Sequence, residues 1–104
     1  TGNLKTLARS PQWQNLGALI GRVNRIRGYG DFVHYHLLAR GSLDVVFESD
    51  VSILDIAPLT VIVREAGGTF TDMYGAEVGL KTTSVLATNG LLHSAVSEVL
   101  ALRR

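Results

Sequence analysis

With 104 residues, 46% of them hydrophobic, the chain can bury one core, and it contains no linker, repeat or low-complexity segment that would divide it. The absence of cysteine excludes disulfides and thiolate metal sites, and no apolar run approaches the ~20 residues that span a bilayer, so a soluble, cytoplasmic domain is expected over residues 1–104. The net charge of +1 is unevenly spread: Lys5, Arg9, Arg22, Arg25 and Arg27 precede any acid, yet with few aromatics they make a weak nucleic-acid footprint.

The first predicted element is an amphipathic helix that Pro11 opens, with Leu16, Leu19, Ile20 and Val23 on one stripe and Trp13 as core or edge packing. Arg25-Ile26-Arg27 then reads as a short strand and Gly28-Tyr29-Gly30 as a turn. Asp31 is placed to cap a second helix running through Phe32, Leu37 and Ala39 to a stop near Gly41. Leu43 to Glu48 alternates as a strand, with Leu43, Val45 and Phe47 on one face and Asp44, Val46 and Glu48 on the other.

The next helix carries a lone acid at its mouth. Pro58 is harmless only near a helix start, which favours Asp55 as N-cap over Ser52, because a Ser52 cap would push the proline into the interior at a cost of roughly 3 kcal/mol. Ala57, Leu59, Val61, Ile62 and Val63 cover most of this helix's circumference, which predicts burial on more than one side, and Gly67-Gly68 supplies the stop. Strands over Thr69–Asp72 and Ser84–Thr88 follow, the first ending in a turn at Met73-Tyr74-Gly75. Asn89-Gly90 leads into a C-terminal helix with Leu92, Val96, Val99 and Leu100 inward and Arg103 and Arg104 at its negative end. Alternation of helix and strand predicts an α/β fold, a three-layer α-β-α arrangement with a mixed sheet.

Three acids are candidates for chemistry. Glu48 ends a strand, Asp55 opens the following helix, and Asp31 stands at an earlier strand-to-helix junction, so all three approach the sheet edge where open α/β sheets bind ligands. An all-oxygen set suits Mg²⁺, which takes one or two protein carboxylates and leaves the rest to water and phosphate; a solvated acidic loop is the plainer alternative. His34 and His36 fall two apart on a helix and face opposite ways, so they cannot share a metal. His93 is expected to be solvent-facing or a local hydrogen-bond donor. No nucleophile-elbow sequence supports covalent hydrolysis.

Ile53-Leu54-Asp55-Ile56-Ala57-Pro58, followed by Glu65-Ala66-Gly67-Gly68, resembles the second signature of the inositol monophosphatase family. Arg27-Gly28-Tyr29-Gly30-Asp31-Phe32, Ala39-Arg40-Gly41-Ser42-Leu43-Asp44 and Ala87-Thr88-Asn89-Gly90 fall in the expected order, so the resemblance covers about Val23 to Leu100. The Gly30-Asp31-Phe32 triplet is similar to the histidinol-phosphatase branch. Leu54 stands where the family usually has Trp, and Pro58 where it has a small residue.

The resemblance implies the C-terminal half of the inositol monophosphatase-like sugar phosphatase fold. It also implies a Mg²⁺-dependent phosphomonoesterase acting on histidinol phosphate or a related small ester, with inositol 1-phosphate as the alternative substrate. Asp55 is then the metal ligand, and Gly30, Asp31, Phe32 and Glu48 form the substrate side. Asp31 or Glu48 would meet the cationic group of histidinol phosphate. No catalytic residue is expected in this half, because the remaining metal carboxylates and the phosphate-binding segment belong to an N-terminal half. A start at Thr1 fits a piece of a longer protein, inactive alone. A homo-oligomer is the expected assembly, and a non-catalytic binding or oligomerisation module with an RNA-related role is the contrasting reading.

Overall fold

The computed structural model describes residues 1–2, 4–28 and 32–100. At its centre is β3 (Ser84–Thr88), whose five residues are all buried. It pairs antiparallel with β1 (Val45–Ser49) from Val45↔Thr88 to Ser49↔Ser84, and antiparallel with β2 (Thr69–Thr71) from Thr69↔Thr88 to Thr71↔Leu86. Strands β1 and β2 therefore run parallel to each other on either side of β3, joined by the crossover helix α4 (Ile53–Glu65). The expected mixed sheet is corrected in this respect: every pairing among the described residues is antiparallel. The crossover joins only the outer strands, and the chain turns back after β2 to insert β3 between them.

Alternation along the strands divides the core in two. Val46, Phe70, Val85 and Ala87 face Tyr35 and Leu38 of α3 (Val33–Ala39) and Ile56, Leu59 and Val63 of α4. On the opposite face, Phe47 and Leu86 pack with Leu7 of α1 (Leu4–Ala8), Leu16 and Leu19 of α2 (Trp13–Ile20), and Val96 and Leu100 of α5 (His93–Leu100). This is the predicted three-layer α-β-α arrangement.

Several predicted elements are corrected. The single N-terminal helix is two helices: α1, which sequence reading missed, and α2, which begins after Gln12 and ends before Val23. The Ser10 hydroxyl donates to the Leu7 carbonyl and the Trp13 amide to the Ser10 carbonyl, turning the chain between them. Trp13 is 41% exposed at the start of α2, at the edge of the layer. Arg25-Ile26-Arg27 forms no strand; residues 21–28 are exposed, and an isolated extended segment without a ladder partner gains nothing from its alternation. Leu92 precedes α5 and is 39% exposed, whereas Val96 and Leu100 are buried as expected. Tyr29, Gly30, Asp31, Arg103 and Arg104 lie outside the described residues, and with them the Asp31 cap and the cationic C-terminal end.

The start of α4 differs most from expectation. Ser52, with extended backbone (φ −124, ψ 159), is the N-cap, Asp55 is the third helical residue and Pro58 is interior. The amides of Asp55 and Ile56 both donate to the Ser52 carbonyl, at 3.0 and 3.2 Å. Starting one turn earlier buries Ile56 and packs Ile53 against the core, a gain of about 1.5–3 kcal/mol for a fully buried side chain, which offsets the proline. Pro58 lies on the solvent side with Leu54, so the Leu54 carbonyl that lacks an amide partner faces water. At the other end, Gly67 (φ +91) and Gly68 close a Schellman turn, the Gly68 amide donating to Val63 and the Gly67 amide to Arg64. The expected burial of α4 on several sides is also corrected: Ile56, Leu59, Thr60 and Val63 are buried, while Leu54, Val61 and Ile62 are exposed.

Candidate functional site

Strand β1 delivers Glu48 and the start of α4 delivers Asp55, separated by the connection Asp50-Val51-Ser52. Asp50 turns the chain in a left-handed conformation (φ 60), which a short polar side chain tolerates, and the Val51 amide pins the turn to the Thr83 carbonyl at 3.0 Å. The two acids meet very different surroundings.

Asp55 is exposed. Its Oδ2 accepts a hydrogen bond from the Ser52 hydroxyl at 3.2 Å, and Oδ1 has no partner among the described residues. A carboxylate in the first turn of a thirteen-residue helix sits against the positive end of its dipole, worth typically 0.3–1 kcal/mol. Of the two roles weighed for this residue, N-cap falls to Ser52, and Asp55 keeps one oxygen without a partner among the described residues.

Glu48 is buried, at 7% exposure, on the α3-facing side of β1. Its Oε2 accepts from Nε2 of His34, which is wholly buried on α3. Tyr35, next in sequence and also wholly buried, stacks on Phe70 at 5.6 Å. Burial first, and then the negative charge of Glu48, hold the Tyr35 phenol protonated far above its ordinary range. His36 faces solvent, so the two helical histidines do point apart. The pairing of His34 with Glu48 was not foreseen; the signal for it is a polar residue on the inner stripe of a helix opposite an acid on the inner face of a strand.

Phe32 caps the N-terminal end of α3, is 57% exposed, and meets His36 edge-on at 5.3 Å. Gly30 and Asp31 lie outside the described residues. Among the described residues no group of three or more His, Cys, Asp or Glu side chains is arranged to hold a metal ion, so Asp55 would be one ligand of a larger set. No described helix is long and apolar enough to cross a membrane.

Of the two alternatives expected for His93, the solvent-facing one is corrected: it opens α5 with a local contact, Nδ1 3.1 Å from Thr88 Oγ1 of β3, and a distant one, Nε2 3.1 Å from Thr71 Oγ1 of β2. Burial pushes this imidazole below its ordinary range. Elsewhere a cavity of about 600 Å³ opens between α2, residues 22–27 and β1; His34 is on its wall, and neither Asp55 nor Glu48 lines it.

The sequence profile of the inositol monophosphatase family matches residues 5–102. A Mycobacterium tuberculosis protein named histidinol-phosphatase is 47% identical over 78 residues, which cover 75% of this chain and 30% of that protein. Its Streptomyces coelicolor namesake is 41% identical over 87 residues, covering 78% and 32%. Among solved structures, the Thermotoga maritima protein named IMPase superposes with a TM-score of 0.76 at 29% identity, over 86% of this chain and 35% of that one. The chain thus spans about a third of the length of these proteins.

Proposed function

The chain belongs to the inositol monophosphatase family, and from that premise we propose that it supplies one part of a Mg²⁺-dependent phosphomonoesterase acting on histidinol phosphate or a related small phosphate ester. The observation that carries this reading is Asp55: an exposed carboxylate at the positive end of a helix, held through one oxygen by Ser52, with the other oxygen free. That donor suits Mg²⁺, a hard cation that keeps most of its shell for water and phosphate. When bound, the metal supplies Lewis-acid stabilisation of the charge that builds on the phosphate and the departing alcohol oxygen.

The residues of this chain do the positioning. Asp55 offers its oxygen without a large reorganisation, because α4 is anchored through Ile56, Leu59 and Val63 in the core. Glu48, at the end of the neighbouring strand, meets the alcohol part of the ester, and Phe32 belongs to the same side, to which the family resemblance also assigns Gly30 and Asp31. The names of the two bacterial relatives favour histidinol phosphate over inositol 1-phosphate. Asp55 alone cannot assemble a metal cluster, so the remaining ligands and the phosphate cradle come from the rest of a longer protein, and the 104 residues alone are inactive.

The test uses the full-length gene product that contains this chain, assayed on histidinol phosphate and inositol 1-phosphate with Mg²⁺ and with a chelator. Hydrolysis should require Mg²⁺, and Asp55→Asn should lower kcat/KM by at least about 100-fold, since weaker outer-shell changes already cost 10–100-fold. Chelator-resistant hydrolysis, or an Asp55→Asn enzyme as active as its parent, would overturn the reading.

A further inference from the structure

We propose that His34 is a positioning residue that holds the Glu48 carboxylate in one orientation and thereby sets a preference for phosphate esters whose alcohol carries a cation. This rests on Glu48 meeting substrate, as argued above.

Nε2 of His34 and Oε2 of Glu48 share one hydrogen bond in the layer between α3 and β1, so Oε2 is occupied and held. Nδ1 of His34 is buried and has no hydrogen-bond partner among the described residues. No lysine or arginine among the described residues pairs with Glu48.

The environment sharpens the effect. His34 is fully buried and Glu48 nearly so, flanked by the Tyr35 ring, so the carboxylate sits in low dielectric where an unbalanced charge is costly. A substrate ammonium or imidazolium brought to the remaining oxygen relieves that cost; a neutral polyol offers only a hydroxyl hydrogen bond. Discrimination of this kind depends on the carboxylate staying in one orientation, which is what Nε2 enforces. Without His34 the carboxylate loses its imidazole partner and keeps only the neighbouring Tyr35 side chain, which does not hold it toward the substrate.

The full-length gene product tests this with kcat and KM measured separately on histidinol phosphate, a cationic ester, and inositol 1-phosphate, a neutral one. His34→Ala should lower the ratio of kcat/KM for the first over the second by about tenfold, the size of one charge-assisted hydrogen bond, carried by KM and not by kcat. His34→Gln, which keeps an N–H donor, should restore most of the ratio. A ratio unchanged in His34→Ala, or equal losses on both esters, would show a merely structural pair and overturn the inference. A parent enzyme that hydrolyses neither ester would instead overturn the functional reading itself, and this inference with it. Where His34→Ala does not fold, His34→Leu, which fills the same buried space without a donor, carries the same test: the ratio should fall by a similar factor, and an unchanged ratio would overturn the inference.

Discussion

His93 shows how much a single side chain can tie together. One imidazole bridges two threonines on neighbouring strands, Thr71 and Thr88, from the first turn of a helix, joining three elements at one point. Its burial favours the neutral form, so the folded-state value lies below the unfolded one of about 6.5. The sign follows: this contribution to stability is complete above about 6.5 and is lost as pH falls through the lowered folded value, because the unfolded chain takes up the proton first. Urea midpoints measured from pH 7.5 down to pH 5 should therefore decline more steeply for the parent than for His93→Gln, and parallel curves would refute the assignment. Sequence reading placed His93 correctly at the mouth of its helix but expected solvent or a local bond around it. The partners are 5 and 22 residues away, on strands whose register no local pattern reveals. The same applies to His34 and Glu48, 14 residues apart, whereas the placement of Asp55 near the start of its helix is legible because one contiguous segment carries it.

Helix α4 is where local rules and tertiary packing compete, and packing sets its start. Backbone rules favour a proline near a helix start; the structure accepts Pro58 in the interior because the extra turn brings Ile56 into the core. These alternatives predict different outcomes for Pro58→Ala. With Ser52 as the cap, alanine restores the missing amide to the Leu54 carbonyl and should raise stability by about 2 kcal/mol, the ~3 kcal/mol helix penalty less up to ~1 kcal/mol of unfolded-state entropy. With Asp55 as the cap the same change would be close to neutral, so denaturant unfolding decides between them. The far end of the helix was read well, since Gly67-Gly68 is a local signal. What sequence could not show is why two glycines are needed: a Cβ on Gly68 would stand 2.6 Å from the Thr88 carbonyl and 2.7 Å from Val63 Cγ1. Gly68→Ala should therefore cost about 2 kcal/mol or more through overpacking between α4 and β3, while Gly67→Ala, with open space around it, should cost about 1–2 kcal/mol of backbone strain alone.

For the molecule as a whole, the two helical layers are not equivalent. The layer of α1, α2 and α5 turns polar residues such as Gln14, Ser94 and Glu98 outward, with Leu4 and Trp13 about half exposed among them. The layer of α3 and α4 leaves Leu54 at 88% exposure and Val61 at 59%, with Phe32, Val33 and Ile62 also exposed. A helix apolar around most of its circumference is expected to be covered on both sides, and that expectation of burial came from composition alone. The layering was equally legible, because alternating helix and strand constrain a small chain to few arrangements, but strand order was not, since β3 inserts between strands that precede it. The open outer face of α3 and α4 lies in the same layer as Asp55, and the chain spans only about a third of the proteins it matches. In isolation that face should be adhesive. Sedimentation velocity on the 104 residues should show mass rising with concentration, accompanied by binding of an apolar dye, and the double change Leu54→Lys with Val61→Lys should abolish both. In the full-length gene product the same double change should instead lower stability and phosphatase activity together, because there it would place two charges against the covering layer. A chain that stays monomeric and binds no dye, or a full-length product that tolerates both lysines, would show that nothing packs on this face.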